Sequence, residues 1–313
     1  MIAEYIWIGG NGELRSKTRV LPSITSIADI PLWNYDGSST HQATTESSEV
    51  DLIPVKLYKN PLMQGWLVLC ETYANDQPHP TNHRHASKSV FSEEEESWFG
   101  LEQEYFMVNP NWEVRPSTYC GIGHKYPSER RIVEEHLRCC IDSGLTISGL
   151  NAEVAQCQWE FQIGPCVGID ASDQLYIARF LLERIAETYN VTISYHPKPL
   201  KDVNGSGCHT NFSTRKMREA DGLTEIYKCM EKLEKKHEEH MLVYGKDNEE
   251  RLTGFHETAS FKKFSYGVGT RNTSIRIGNQ TFKEGKGYFE DRRPAANMDP
   301  YLVTAKLYAT CVN

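Results

Sequence analysis

Apolar and polar positions alternate at both ends of the first eighty residues. "AEYIWIGGNGELRSKTRV" runs with period two into a Gly-rich turn and out again, the pattern of a hairpin, and "GWLVLCETY" reads as a further strand. Between them, "LWNYDGSSTHQATTESSEVD" is too polar and too rich in Ser, Thr and Gly for a regular element, and a loop of that length points to function. Further along, the apolar spacing switches to 3.6. Ser128 is placed to cap a helix that buries Val133, Leu137 and Cys140 and stops before Gly144. Leu175, Ala178, Leu182, Ile185 and Tyr189 mark a second helix; Leu223, Ile226, Met230, Leu233, His237 and Met241 mark a third. On this pattern His237 and His240 belong to a helix surface or seam, not to a metal site.

Strands interleave with these helices, and they hold the unusual polar residues. In "GLEQEYFMV", residues 100 to 108, period two puts Glu102 and Glu104 on one face and Leu101, Gln103 and Tyr105 on the other. Adjacent carboxylates repel, so the face needs a cation, a shared proton or open water. "NAEVAQCQWEFQIG" reads as a tight strand pair. A turn centred on Gln156 and Cys157 sets Glu153 opposite Glu160, while Trp159, Phe161 and Ile163 face an apolar layer. Glutamates exposed on an open sheet would explain one such pair. Two pairs, each backed by large apolar residues, better fit oxygen ligation of Mg²⁺ or Mn²⁺.

Further polar residues fall on faces that could join them. His209, Asn211 and Ser213 share one face of "GSGCHTNFS", and His209 is a candidate nitrogen ligand. "KGYFEDRRP" sets Tyr288, Glu290 and Arg292 on one face, with Phe289, Asp291 and Arg293 on the other. Arg251, Arg271 and Arg276 surround a Gly-rich, loop-like stretch, and arginines near carboxylates suit forked recognition of phosphate or carboxylate. The chain has no GxxxxGK[ST] and no GxGxxG, which disfavours a P-loop or Rossmann site.

Length and composition narrow the class. Single cores seldom exceed ~250 to 300 residues, so 313 residues predict a small and a large domain. The junction falls in "ANDQPHPTNHRHAS", giving units 1–78 and 79–313. No apolar run approaches the ~20 residues a membrane helix needs. A net charge of −8 with scattered Lys and Arg argues against nucleic acid. Nine irregularly spaced cysteines without CxxC read as buried, reduced thiols. The run Glu93–Glu96 reads as a solvated turn or helix start. An N-terminus without a secretory or transit pattern makes cytoplasm the expected location.

"WNYDGSST", "GLEQEY", "NAEVAQCQWEFQIGP", "GCHTNFS", "RLTGFHET" and "GYFEDRRPAAN" together resemble, in order and along essentially the whole chain, the signature segments of the eukaryotic-type glutamine synthetase family. The resemblance implies an α+β fold: a small N-terminal β-grasp domain, then a catalytic domain whose curved antiparallel sheet, flanked by helices, lines a two-ended funnel. It implies ATP-dependent condensation of L-glutamate with ammonium through γ-glutamyl phosphate. Residue by residue, it assigns one metal to Glu104, Glu153 and Glu160 and another to Glu102, His209 and Glu290. It places Glu102, Glu160, Asn211, Ser213, Arg271, Arg276 and Tyr288 near the nucleotide, and Glu153, Gly205, His209, Arg251, Arg271 and Arg292 near glutamate. Asp36 becomes the base that deprotonates ammonium, with Glu257, Arg271 and Arg292 as its catalytic companions.

The family also implies a homo-oligomer with Asp36 reaching a neighbour's funnel, commonly two stacked pentameric rings. The chain departs from the family in places. It opens on the first strand without a helix-bearing extension and ends soon after "MDPYLVTAKLYATCVN". "NPNWEVRPSTYCGIG" is shorter than its counterpart, and Asp202-Val203 replaces an Asn-Trp pair. Two competing expectations remain: a silent structural or regulatory relative, or a ligase for another amine such as a polyamine.

Overall fold

The computed structural model describes residues 1–108, 119–123 and 127–312. Two sheets organise it. The first contains β1 (Ile2–Ile8), β2 (Leu14–Val20), β3 (Trp33–Asp36), β4 (Glu49–Asn60), β5 (Gly65–Ala74) and β6 (Gln77–Pro78). Its order is β2-β1-β5-β4-β3, with β6 on β5. The β1–β2 hairpin forms as the alternation predicts. The polar stretch after it does not stay irregular, because Trp33–Asp36 pairs with β4 and a 3-10 turn follows at Gly37–Thr40. The sequence pattern missed β4. Pro54 interrupts its alternation and sits at a register shift in the ladder with β5, where a missing N–H is tolerated.

A short helix, α1 (His83–Lys88), leads to the second sheet. The segment expected to join two domains carries β6 and α1 and is held by ion pairs. Arg84 reaches Glu71 of β5 at 2.8 Å and Asp173 at 2.9 Å. The second sheet contains β7 (Trp98–Val108), β8 (Ile147–Ala152), β9 (Gln158–Val167), β10 (Thr192–Ser194), β11 (Cys208–Ser213), β12 (Tyr266–Val268), β13 (Ile275–Ile277) and β14 (Phe289–Asp291). Its order is β12-β13-β14-β11-β7-β9-β8, with β10 on β7. It is antiparallel except where β12 runs parallel to β13, inside the stretch expected to be a loop.

Helices cover the outer face: α2 (Pro127–Ser143), α3 (Asp170–Thr188), α4 (Arg215–Arg218), α5 (Gly222–Lys235), α6 (His237–Met241), α7 (Asn279–Glu284) and α8 (Pro300–Val312). The helix of α2 begins at Pro127, so Ser128 is its second residue; the capping side chain lies outside the described residues, as does 109–118 of the shortened stretch. The third helix is broken. Lys236 leaves helical geometry and separates α5 from α6. His237 and His240 are then buried, which leaves the seam of the two expected places: His237 bonds Phe261 O at 2.9 Å and Arg293 Nη1 at 3.1 Å, and His240 bonds Tyr244 and Thr310 of α8. Tertiary hydrogen bonds decide that turn over helix continuity.

Trp159, Phe161 and Ile163 point into the main core with Leu101 and Tyr105, all essentially inaccessible. Each such side chain contributes roughly 1.5–3 kcal/mol. That layer backs the opposite sheet face, whose carboxylates line an acidic cavity. Eight of the nine cysteines are buried and all are free; Cys120 is exposed. Glu93–Glu96 forms a turn, as expected.

Candidate functional site

Strand period two brings the glutamates together. Glu104 lies opposite Glu160 and Glu102 opposite Gln162 across β7 and β9, while His209 of β11 pairs with Glu102. Glu153 is not opposite Glu160. Asn151 holds that place, and Glu153 N bonds Gln158 O at 2.9 Å, so the turn is centred one residue earlier than expected. Cys157, at φ 54°, takes the left-handed turn position. Parity is preserved, so Glu153 still faces the same side. One ligand atom each from Glu104, Glu153 and Glu160 lie within 4.8 Å of one another, and so do those of Glu102, His209 and Glu290.

These residues line a cavity of about 440 Å³, shared with Gly205, Arg251, Glu257, Arg271, Arg276 and Arg292. Among the described residues, six glutamates and four arginines line it. Burial, reinforced by Glu153, pushes the Glu104 carboxyl up to about 8. Burial, with Glu102 and Glu104 beside it, pushes Glu160 up to about 9. Burial also raises Glu102 and Glu153. Burial and the Arg292 charge depress His209 strongly, and Arg251 takes its Nε2, so Nδ1 is the nitrogen that faces Glu102 at 3.4 Å and Glu290 at 3.3 Å. Several oxygens and one nitrogen, repelling one another in low dielectric, suit divalent cations.

The arginines are placed with equal definition. Arg292 holds Glu290 at 2.6 Å, Arg276 approaches Glu290 at 3.4 Å, and Arg251 donates to His209 Nε2 at 2.9 Å. Gly205 and Gly207 let that arginine in, since a Cβ at Gly207 would collide with its guanidinium. Gly207 N in turn donates to Glu104 Oε2 at 2.6 Å. At the mouth, Glu257 meets Arg271 at 3.0 Å. His256 and Glu257 are consecutive left-handed residues, a strained backbone of the kind kept at functional loops.

A second cavity of about 410 Å³ adjoins the first and is walled by Trp98, Leu101, Ile163, Pro165, Phe212 and Tyr288. Asn211 and Ser213 line this slot and not the acidic cavity. Glu102 and Gln162 border both. The sequence reading missed Trp98 and Arg218, whose guanidinium stacks 3.9 Å from the Trp98 ring. It also missed Gln158, which donates to Glu104 Oε2 at 3.2 Å and Gly205 O at 2.8 Å. Nothing in local pattern couples residues so far apart. Asp36 lines neither cavity. It is exposed at the end of β3, accepting from Ser38 N at 3.0 Å.

Paired acidic triads spaced as divalent-cation ligands would be, on a curved sheet between arginines and an apolar slot, fit the class of enzymes that act on anionic substrates. Comparison with known proteins agrees. The family model described as the catalytic domain of glutamine synthetase matches residues 80–234. The chain is 51% identical to the glutamine synthetase of Saccharomyces cerevisiae, across 99% of this chain and 89% of that protein. It is 49% identical to a glutamine synthetase cytosolic isozyme of Medicago sativa, across 100% and 94%. A solved structure titled a GmaS/ADP complex superposes with a TM-score of 0.79 at 18% identity, covering 99% of this chain and 77% of that one, a likeness of fold. The chain belongs to the glutamine synthetase family, the ATP-dependent ligases of glutamate and ammonia.

Proposed function

We propose that the chain makes L-glutamine from L-glutamate, ammonium and ATP with the residues of these two cavities. The position of Glu102 carries the reading: it belongs to one triad, stands two residues from the other, and borders both cavities. The nucleotide base occupies the apolar slot between Trp98 and Tyr288, near Asn211 and Ser213. Its phosphates extend past Glu102 and Glu160 toward Arg276 and Arg271. Glu104, Glu153 and Glu160 would hold one Mg²⁺ or Mn²⁺, and Glu102, His209 and Glu290 another. When bound, these cations offset charge on the transferring phosphoryl group.

The chain's own groups do the rest. Arg251, Arg271 and Arg292 orient glutamate by forked hydrogen bonds, and Gly205 leaves room beside Arg251. An oxygen of the γ-carboxylate attacks the γ-phosphorus of ATP and ADP leaves, giving γ-glutamyl phosphate. Ammonia then attacks the carbonyl carbon and phosphate leaves. Glu257 stands at the mouth, where it offers negative charge to ammonium and helps exclude water. Asp36 of a neighbouring subunit takes the ammonium proton. That role requires a homo-oligomer, with stacked pentameric rings as the arrangement the resemblance implies. Among the described residues no helix is long and apolar enough to cross a membrane. Cytoplasm is the proposed location, in keeping with relatives named as cytosolic isozymes.

The test is an assay with Mg²⁺, ATP, glutamate and ammonium. Phosphate release should require ammonium and be matched by glutamine. No glutamine would overturn the reading, and preference for a larger amine would make the chain a different γ-glutamyl ligase. Mass measurement in solution checks the oligomer; an active monomer would remove Asp36 from the mechanism.

A further inference from the structure

Gln103 stands between Glu102 and Glu104 but points to the opposite face of β7, where it is completely buried. Its Oε1 accepts from Arg179 Nε at 2.8 Å and Nη2 at 2.5 Å. Its Nε2 donates to Glu104 O at 2.7 Å and Ala296 O at 3.1 Å. Arg179, on α3, is only 6% exposed. It also donates to Met298 O and Ala296 O, each at 3.0 Å, and the rings of Tyr176 and Tyr195 flank it at 5.6 and 5.2 Å. Its hydrogen-bond partners are therefore an amide oxygen and two carbonyls, and the one carboxylate near it, Glu183 on the same helix, acts on it by charge without a hydrogen bond. Burying a cation on such terms is costly, and an apolar side chain of similar size would pack there without that cost.

Those partners lead to the acidic face. The 294–298 segment follows directly from Glu290 and Arg292 and lies against the approach to His209: Cys208 N donates to Pro294 O at 2.9 Å and Ala296 N to Ser206 O at 3.1 Å. The same approach sends Gly207 N to Glu104 Oε2. One guanidinium thus ties together, from behind the sheet, the backbone of the strand bearing Glu102 and Glu104 and the segments flanking His209 and Glu290.

We infer that Arg179, acting through Gln103, is a positioning residue for both cation triads. The inference rests on the proposed cation reading of those triads. Ligands must be held within about 0.5 Å of their working geometry. Losing an outer contact that orients them costs about 10–100-fold in metal affinity. A lysine keeps the charge but cannot reproduce the planar fork.

The test compares the full-length protein with Arg179→Lys and Arg179→Met. Mn²⁺ binding is measured by titration calorimetry without nucleotide, alongside melting temperature in chelator and the KM for Mg²⁺ against kcat. Both variants should bind Mn²⁺ about ten-fold or more weakly. The lysine variant should do so despite its charge, with KM for Mg²⁺ rising more than kcat falls. Unchanged Mn²⁺ titrations accompanied only by a lower melting temperature would overturn the inference and leave Arg179 a packing residue. If Arg179→Met does not fold, Arg179→Lys decides alone. Wild-type protein that takes up no Mn²⁺ overturns the cation reading and the inference together, whereas wild-type uptake with unaltered variants overturns only the inference.

Discussion

Glu104 faces Glu160 in register across β7 and β9, two carboxylates buried side by side on the face of the sheet that lines the acidic cavity. Burial and their mutual proximity raise both above the ordinary carboxylate range, so without a cation each must take up a proton on folding at neutral pH, which opposes folding. Replacing one by its neutral isostere, Glu160→Gln, should therefore raise the melting temperature measured in chelator, by roughly 1.5 °C for each kcal/mol of that cost relieved. The rise that Mg²⁺ gives the wild-type protein should largely vanish. Scanning calorimetry with and without Mg²⁺ checks both, and a variant less stable than wild type in chelator would show that Glu160 is held by favourable contacts instead.

Glu102 and Glu104 share a face but belong to different triads, one with His209 and Glu290 and the other with Glu153 and Glu160. Glu102→Ala and Glu104→Ala should each weaken one class of Mn²⁺ site more than the other. Titrations should then differ in stoichiometry and affinity. Indistinguishable curves would mean a single shared cation.

How much of this was readable follows from geometry. Strand parity is strict, so the shared face of Glu102 and Glu104 and the buried face of Trp159, Phe161 and Ile163 could be read directly. Turn centres are not set by parity. Cys157 occupies a left-handed position without the glycine or asparagine that would flag it, and the register around Glu153 slipped accordingly. Pro54 masked β4 because its bulge breaks the alternation. Arg218 over Trp98, and Arg179 on Gln103, join positions separated by 120 and 76 residues of chain, as their numbers show, and such pairings exist only once helices dock on the sheet. The role proposed for Asp36 rests on family resemblance alone, since within one chain it lines neither cavity.

Trp98 and the Arg218 guanidinium stacked 3.9 Å away form one wall of the apolar slot. Stacking of a base on an aromatic face is worth about 1–3 kcal/mol. Trp98→Ala should raise the KM for ATP roughly ten-fold, since 1.4 kcal/mol is a factor of ten, and leave the KM for glutamate near its wild-type value. Steady-state kinetics with each substrate varied in turn separates the two. An unchanged KM for ATP would place the base elsewhere.

His83, at the start of α1, bonds Asp299 through Nδ1 at 2.6 Å, and Asp299 in turn accepts from Tyr301 N at 2.8 Å at the head of α8. The hydrogen bond to Asp299, outweighing burial, raises the His83 pKa above its ordinary 6.5. A histidine whose pKa is higher folded than unfolded adds stability that is fully present below the unfolded value. That stability is lost as pH rises through the folded value. The junction should therefore be tighter below pH 6.5 and loosen above it, by under about 1 kcal/mol because the pair is partly exposed to solvent. His83→Gln keeps a hydrogen-bonding group but cannot take the proton. The difference in melting temperature between wild type and variant should shrink from mildly acidic to mildly alkaline pH, and a difference constant across that range would show that His83 is neutral throughout and binds Asp299 without its charge.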